Sequence, residues 1–175
     1  MQSVVCGCAI GLGLNRDNIH SALASKDNSA CTISTIAYDK NITNKDLPLT
    51  VNLSSKDYDE VLVNGSSNTT ISSNGSYTVT VVKDNKTLDS QKIEVTNIDK
   101  DNPIVNKTVS GKEVSLTFSD TGSGLDTSSL HFYKNGVEDS SYSNSSSISF
   151  TFENGNTYKA TISDKAGNVV MVDIK

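Results

Sequence analysis

Residues 154–175 read N-G-N-T-Y-K-A-T-I-S-D-K-A-G-N-V-V-M-V-D-I-K, and this stretch decides the fold. Tyr158, Ala160 and Ile162 alternate with Lys159, Thr161 and Ser163, the two-residue period of a half-buried strand. Asp164-Lys165-Ala166-Gly167-Asn168 then supplies a turn, with Gly167 free to take a positive φ. Val170, Val172 and Ile174 alternate on the return. The first half of the chain holds a counterpart. Asn74-Gly75-Ser76 opens a strand with Tyr77, Val79 and Val81 on one face, and the chain turns at Asp84-Asn85-Lys86 and returns through Ile93 and Val95. The two Asn-Gly pairs stand 80 residues apart (154 − 74), which predicts two β domains, one after the other.

Length and composition agree with that reading. A chain of 175 residues accommodates two modest domains. Apolar residues make up 35%, and Ser, Thr, Asn and Asp dominate, which suits short strands and many turns. A net charge of −5 without a basic stripe argues against nucleic acid as a partner. The cysteines, at 6, 8 and 31, all lie near the N-terminus, so the sandwiches must hold by their cores alone. Cysteine-free repeats fit exported bacterial proteins, and an odd count leaves one thiol over whatever Cys31 does with Cys6 or Cys8.

Along the chain, residues 1–30 form a lead. Its small apolar start and Ala22-Leu23-Ala24 suggest a signal peptide, but no Lys or Arg precedes the apolar run, so an export remnant or a mis-assigned start is an equal reading, with a disordered or helical lead as the plain alternative. Residues 4–14 are too few to span a bilayer, and the glycines at 7, 11 and 13 follow no strand, which excludes a nucleotide loop. Domain one is expected over 31–98. Cys31, Ile33 and Thr35 are expected on one face, with Ile36 and Tyr38 on the other; Leu47, Leu49, Val51 and Leu53 alternate as one strand, with Pro48 at an edge. Residues 99–103 form a short polar linker closed by Pro103. Domain two is expected over 104–175: Val114, Leu116 and Phe118 share a face, Leu130 and Phe132 alternate with His131 and Tyr133, Asn135-Gly136 marks a hairpin, and Ile148, Phe150 and Phe152 make a further strand.

These motifs resemble tandem bacterial immunoglobulin-like domains of surface and secreted proteins, common in Gram-positive bacteria. The resemblance rests on Val63-Asn64-Gly65, on residues 74–81, on the linker, on Ser119-Asp120-Thr121-Gly122-Ser123-Gly124-Leu125, on Tyr133-Lys134-Asn135-Gly136 and on Ser163-Asp164-Lys165-Ala166-Gly167-Asn168. It covers about residues 31–175 and implies an all-β chain of two consecutive antiparallel immunoglobulin-like β-sandwiches. Domain one departs from the pattern: Asp84-Asn85-Lys86-Thr87 stands where the family shows an Asp…Ala-Gly-Asn turn, so a different loop is expected there.

The chemistry sought is mostly absent. Nucleophilic catalysis needs a base, and the two histidines do not serve: His20 lies in the lead and His131 faces away from the core. Asp120 with Asp126, and Asp57 with Asp59 and Glu60, are carboxylate groupings that turns collect in any case. Asp120 and Asp126 around Gly122 and Gly124, with Asp99 and Asp101 in the linker, offer oxygen ligands for calcium, but the loop lacks the order of an EF-hand and plain turns are preferred. A Lys–Asn cross-link would need a buried lysine, and the lysines sit at turns and polar positions. The N-x-S/T triplets at Asn41, Asn52, Asn64, Asn68, Asn74, Asn85, Asn106 and Asn144 would be silent in a bacterium.

No catalytic, cofactor-binding or metal residue is therefore assigned. The expected function is a non-enzymatic structural or spacer module of a bacterial cell-surface or secreted protein, a monomer within a longer multidomain chain, without a cofactor, nucleic acid or membrane span. The alternatives are an adhesive or carbohydrate-binding module using Tyr58, Tyr133 and Tyr142 on a protein or glycan ligand, or an accessory to an exported enzyme.

Overall fold

The computed structural model describes residues 30–175. The readings that fall on Cys6, Cys8, His20, the glycines at 7, 11 and 13 and the rest of the lead lie outside the described residues. Cys31 carries a free, buried thiol whose Sγ donates to Ser55 O at 3.3 Å. Among the described residues there is no α-helix, and no helix is long and apolar enough to cross a membrane.

Seven strands precede the linker: β1 (Ile33–Ala37), β2 (Leu47–Pro48), β3 (Thr50–Leu53), β4 (Glu60–Val63), β5 (Thr70–Ile71), β6 (Gly75–Lys83) and β7 (Lys86–Val95). They pair as β1-β3, β2-β5 and β4-β6-β7, all antiparallel. Leu47, Leu49, Val63, Ile71, Val79, Val81 and Val95 are buried together with Cys31 and Ile33. The alternation from Leu47 to Leu53 is real, but the segment breaks at Leu49: Leu47 pairs with Ile71, whereas Thr50–Leu53 pairs with β1. Pro48, which has no N–H to give, sits exposed in the two-residue edge pair.

The expected face of β1 needs correction. Ile33 pairs with Leu53 and Thr35 with Asn52, so Ser34 is an extra residue and the strand bulges. The bulge reverses the parity that follows it. Ile36 and Tyr38 therefore join Ile33 against the core, while Thr35 is exposed and accepts from Asn52 Nδ2 at 2.8 Å.

Seven further strands follow: β8 (Ile104–Ser110), β9 (Glu113–Ser119), β10 (Leu125–Lys134), β11 (Val137–Glu138), β12 (Ser147–Thr151), β13 (Tyr158–Asp164) and β14 (Val169–Ile174), with one 3-10 turn at Ser140–Tyr142. They build two sheets, β11-β10-β13-β14 and β12-β9-β8. Leu116, Phe118 and Ile148 from one sheet and Leu130, Phe132, Tyr158, Ala160 and Ile162 from the other form a single buried cluster, so the sheets close as a sandwich. Phe150 lies 4.6 Å from Tyr158 and 4.9 Å from Phe132 between ring centroids, filling the layer between sheets.

Two hairpins take similar places in their sheets. β6 lies between β4 and β7, and β13 lies between β10 and β14, in the same order. The two hairpins differ at their turns, as the departure at residues 84–87 implied. Asp84 and Asn85 both take positive φ, 51° and 60°, in a turn with no glycine. The two Asn-Gly pairs also differ: Gly75 has φ 152° at a strand start, while Gly155 has φ 83° inside the Glu153–Asn156 turn. Asn74 is held by Ile98, accepting its N–H and donating to its carbonyl, each at 2.8 Å.

Leu116 has no exposed surface and packs at the centre of the second cluster. Leu116→Ala is expected to cost about 2–5 kcal/mol in urea unfolding, while Val137→Ala, at a position 72% exposed, stays within about 0.5 kcal/mol.

Candidate functional site

Asp99 leaves the first cluster and enters the second. Its N–H donates to Thr43 O at 2.9 Å, and Thr43 N–H donates to Asn97 O at 3.0 Å, so the linker begins as a parallel bridge to the first half. Ile98 is buried in the first cluster, and Lys100 pairs with Asp46. The remaining polar atoms of Asp99 turn the other way. Its carbonyl accepts from Asn168 Nδ2 at 2.9 Å, and its Oδ2 accepts from Ser123 N–H at 2.5 Å. Oδ1 accepts from Asp101 N–H at 3.1 Å. Gly122 makes this seat: a Cβ built there would stand 2.3 Å from Asp99 Oδ2 and 2.5 Å from its Cγ.

Three carboxylates meet around this point. Asp99, Asp120 and Asp164 each offer an oxygen, all within 4.8 Å of one another. Asp164 is buried at the end of β13, where the inward parity of Tyr158, Ala160 and Ile162 continues. Its Oδ1 accepts from Asn168 N–H at 2.8 Å and its Oδ2 from Asn168 Nδ2 at 2.7 Å. Asn168 thus ties the β13–β14 turn to its own strand and to the linker with one amide group. Asp120 Oδ2 accepts from Gly124 N–H at 2.6 Å. Like charges this close repel, and the convergent N–H donors offset that repulsion. Such a set also has the hard oxygen chemistry a divalent cation takes.

Hydrogen bonding from Ser123, hydroxyl first and backbone N–H second, holds the Asp99 carboxyl below the usual aspartate range. The Ser123 hydroxyl accepts from Ala166 N–H at 3.2 Å, which leaves its own proton for Asp99.

The residues singled out from the sequence divide here. Asp99 and Asp120 come together. Asp126 does not: it lies on β10 and accepts from the Ser128 hydroxyl at 2.5 Å and the Ser128 N–H at 3.1 Å. Asp101 stands outside the three-carboxylate group and contributes its backbone N–H. Asp57 pairs with Lys83, and Asp59 accepts from Asp84 N–H at 2.7 Å, so both brace the β6–β7 turn; Glu60 begins β4 and is exposed. His131 is exposed, with Nδ1 2.6 Å from Glu138 Oε1. No described lysine is buried. Tyr142 is no open platform, because its ring packs edge-on against Phe132 at 5.1 Å and its hydroxyl donates to Ser149 O at 2.7 Å.

In the sequence Asp164 and Asn168 read only as turn residues. The missed signal was parity, since Asp164 sits two residues after Ile162 on the inward face.

No protein-family model and no curated protein matches the chain. Among solved structures, fibronectin(III)-like modules of Clostridium thermocellum CbhA align at 15% identity over 82% of this chain and 90% of that one, with a TM-score of 0.34. A likeness of that size adds nothing to the fold described above.

Gly122 has no positive φ, so alanine there is tolerated by the backbone and acts only by displacing Asp99. Gly122→Ala is expected to release the Ser123 amide into faster hydrogen exchange and to cost about 1 kcal/mol, with the strand amides of β6 and β13 unchanged. The lowered pKa gives a second test. A carboxyl depressed in the folded state contributes stability above its unfolded value and loses it as pH falls through the folded value. The Ser123 amide shift should therefore titrate with a midpoint below the ordinary aspartate range, and Asp99→Asn should abolish that titration.

Proposed function

We propose that the chain is a non-enzymatic structural module: two immunoglobulin-like sandwiches in series, residues 31–98 and 104–175, joined through 99–103. In this reading it belongs to an exported or cell-surface bacterial protein and holds another part of that protein at a fixed distance and angle. Two buried clusters support it, because each gathers residues from only one side of the linker. The composition supports export: turns rich in Ser, Asn and Asp, and no cysteine after residue 31.

The observation that carries the reading is the double engagement of Asp99, bonded to Thr43 behind it and to Ser123 and Asn168 ahead of it. Domains joined by a plain short linker move against each other by default. A spacer must suppress that motion, and hydrogen bonds of a carboxylate to fixed donors on the next domain do so at the residue where a hinge would form. Asp57 and Asp59 brace the β6–β7 turn, and Asp126 bonds Ser128 within β10.

Nitrogen-15 relaxation of the full chain tests this. Amides of β1–β7 and β8–β14 are expected to report one shared tumbling time, and Asp99→Ala to split it into two. Independent tumbling in the unmodified chain, or turnover of a polysaccharide or ester by the purified protein, would overturn the proposal.

A further inference from the structure

The geometry points to a binding site for a neutral saccharide on the outer face of the sheet β11-β10-β13-β14, centred on Tyr133. This goes beyond the spacer role and does not depend on the linker.

The register sets one residue from each strand side by side. Glu138 pairs with Tyr133, Tyr133 with Lys159, and Lys159 with Asp173. The next row on the same face holds His131 and Thr161. Together with Gly136 and Thr157, the residues Tyr133, Lys159, Thr161 and Asp173 line a cleft of about 410 Å³. That is within the range of small-molecule sites, roughly 300–1,000 Å³.

Two observations describe the groups this cleft offers a ligand. The first concerns tyrosine hydroxyls. Tyr38 donates to Glu94 O, Tyr77 to Ser73 O and Tyr142 to Ser149 O, and Tyr158 accepts from Glu153 N–H. The Tyr133 hydroxyl, like that of the exposed Tyr58, has no hydrogen bond among the described residues, although the Tyr133 ring is half-buried and stacked on His131 at 6.3 Å with a 28° tilt. The second concerns charge. Lys83, Lys100 and Lys134 each pair with a carboxylate. Lys159 and Asp173 are direct cross-strand neighbours of opposite sign, yet among the described residues neither has an ion pair or hydrogen bond through its side chain, and the Thr161 hydroxyl has none either.

The site therefore presents an aromatic face flanked by an ammonium donor, a carboxylate acceptor and two hydroxyls that both donate and accept. A sugar ring matches that set. Its axial C–H groups carry partial positive charge and lie against the negative face of an aromatic ring. Its hydroxyls can donate to Asp173 and accept from Lys159. A charged ligand fits less well, because an anion meets Glu138 and Asp173 in the row and a cation meets Lys159. His131 is held by Glu138 and extends the platform beside Tyr133.

The test is a set of nitrogen-15 correlation spectra of the full chain, titrated separately with cellohexaose, xylohexaose, mannohexaose and chitohexaose. At least one is expected to bind with a dissociation constant on the order of 1 mM, moving amides of β10, β13 and β14 around Tyr133. Tyr133→Ala should weaken that binding about tenfold by removing the stacking face. Asp173→Ala, at an exposed position, should weaken it while leaving the thermal midpoint unchanged, which keeps the test independent of folding. The inference is overturned if none of the sugars moves these amides, if the shifts fall elsewhere, or if Asp173→Ala binds as the unmodified chain does. Such results would leave the shared tumbling of the two halves untouched.

Discussion

Asp99 carries hydrogen bonds to residues on both sides of it in the sequence, from Thr43 to Ser123 and Asn168. Asp99 gives its N–H to Thr43, takes the Asn168 amide on its carbonyl, and lays its carboxylate across Gly122 onto the Ser123 N–H. A backbone of two soft dihedrals per residue would otherwise swivel here. The bonds work because each partner is itself fixed. Thr43 is bridged to Ile98, and Ser123 belongs to a loop closed by Asp120 onto Gly124. Asn168 is fastened through both its backbone N–H and its side-chain amide to the buried Asp164. A carboxylate among neighbouring carboxylates is unfavourable unless donors surround it, and the turn sequences around it supply them.

Behind that joint each half is held by alternation. A strand with apolar residues at every second position can bury one face and leave the other wet, and in the second half two such sheets close on each other to make a core without disulfides. β13 shows the rule over its whole length, burying Tyr158, Ala160 and Ile162. Its other face carries Lys159 and Thr161, half-buried beside Tyr133 at a cleft, so polar groups collect there. The two faces of one strand thus differ in environment, one packed into the core and one carrying polar groups.

Much of this was legible in the residues. The alternation at 77–81, 114–118 and 158–162 located strands, and Asn135-Gly136 located a hairpin, because these are local properties of backbone and side-chain direction. The reading failed where one residue was added to the count. Ser34 bulges β1 and turns Ile36 inward, and no feature of the sequence around it marks the insertion, since the extra residue is defined only by the partner strand. The break at Leu49 has the same origin: the segment is continuous in pattern, but β5 and β1 compete for its two halves.

For the candidate site, the sequence by itself determined that Asp120 lies in a glycine-rich turn, that Asp99 lies in a linker, and that Asp164 follows an inward-facing strand. It could not determine that these three meet, or that Asp126 stays apart on β10. Period two fixes which way a side chain points within its own strand and says nothing about phase between segments. That phase is set by how the linker leaves the first core and where Gly122 leaves room, which are properties of the packed chain. The residue types were written locally, and the close approach of 99 to 164 was decided only when both cores had formed.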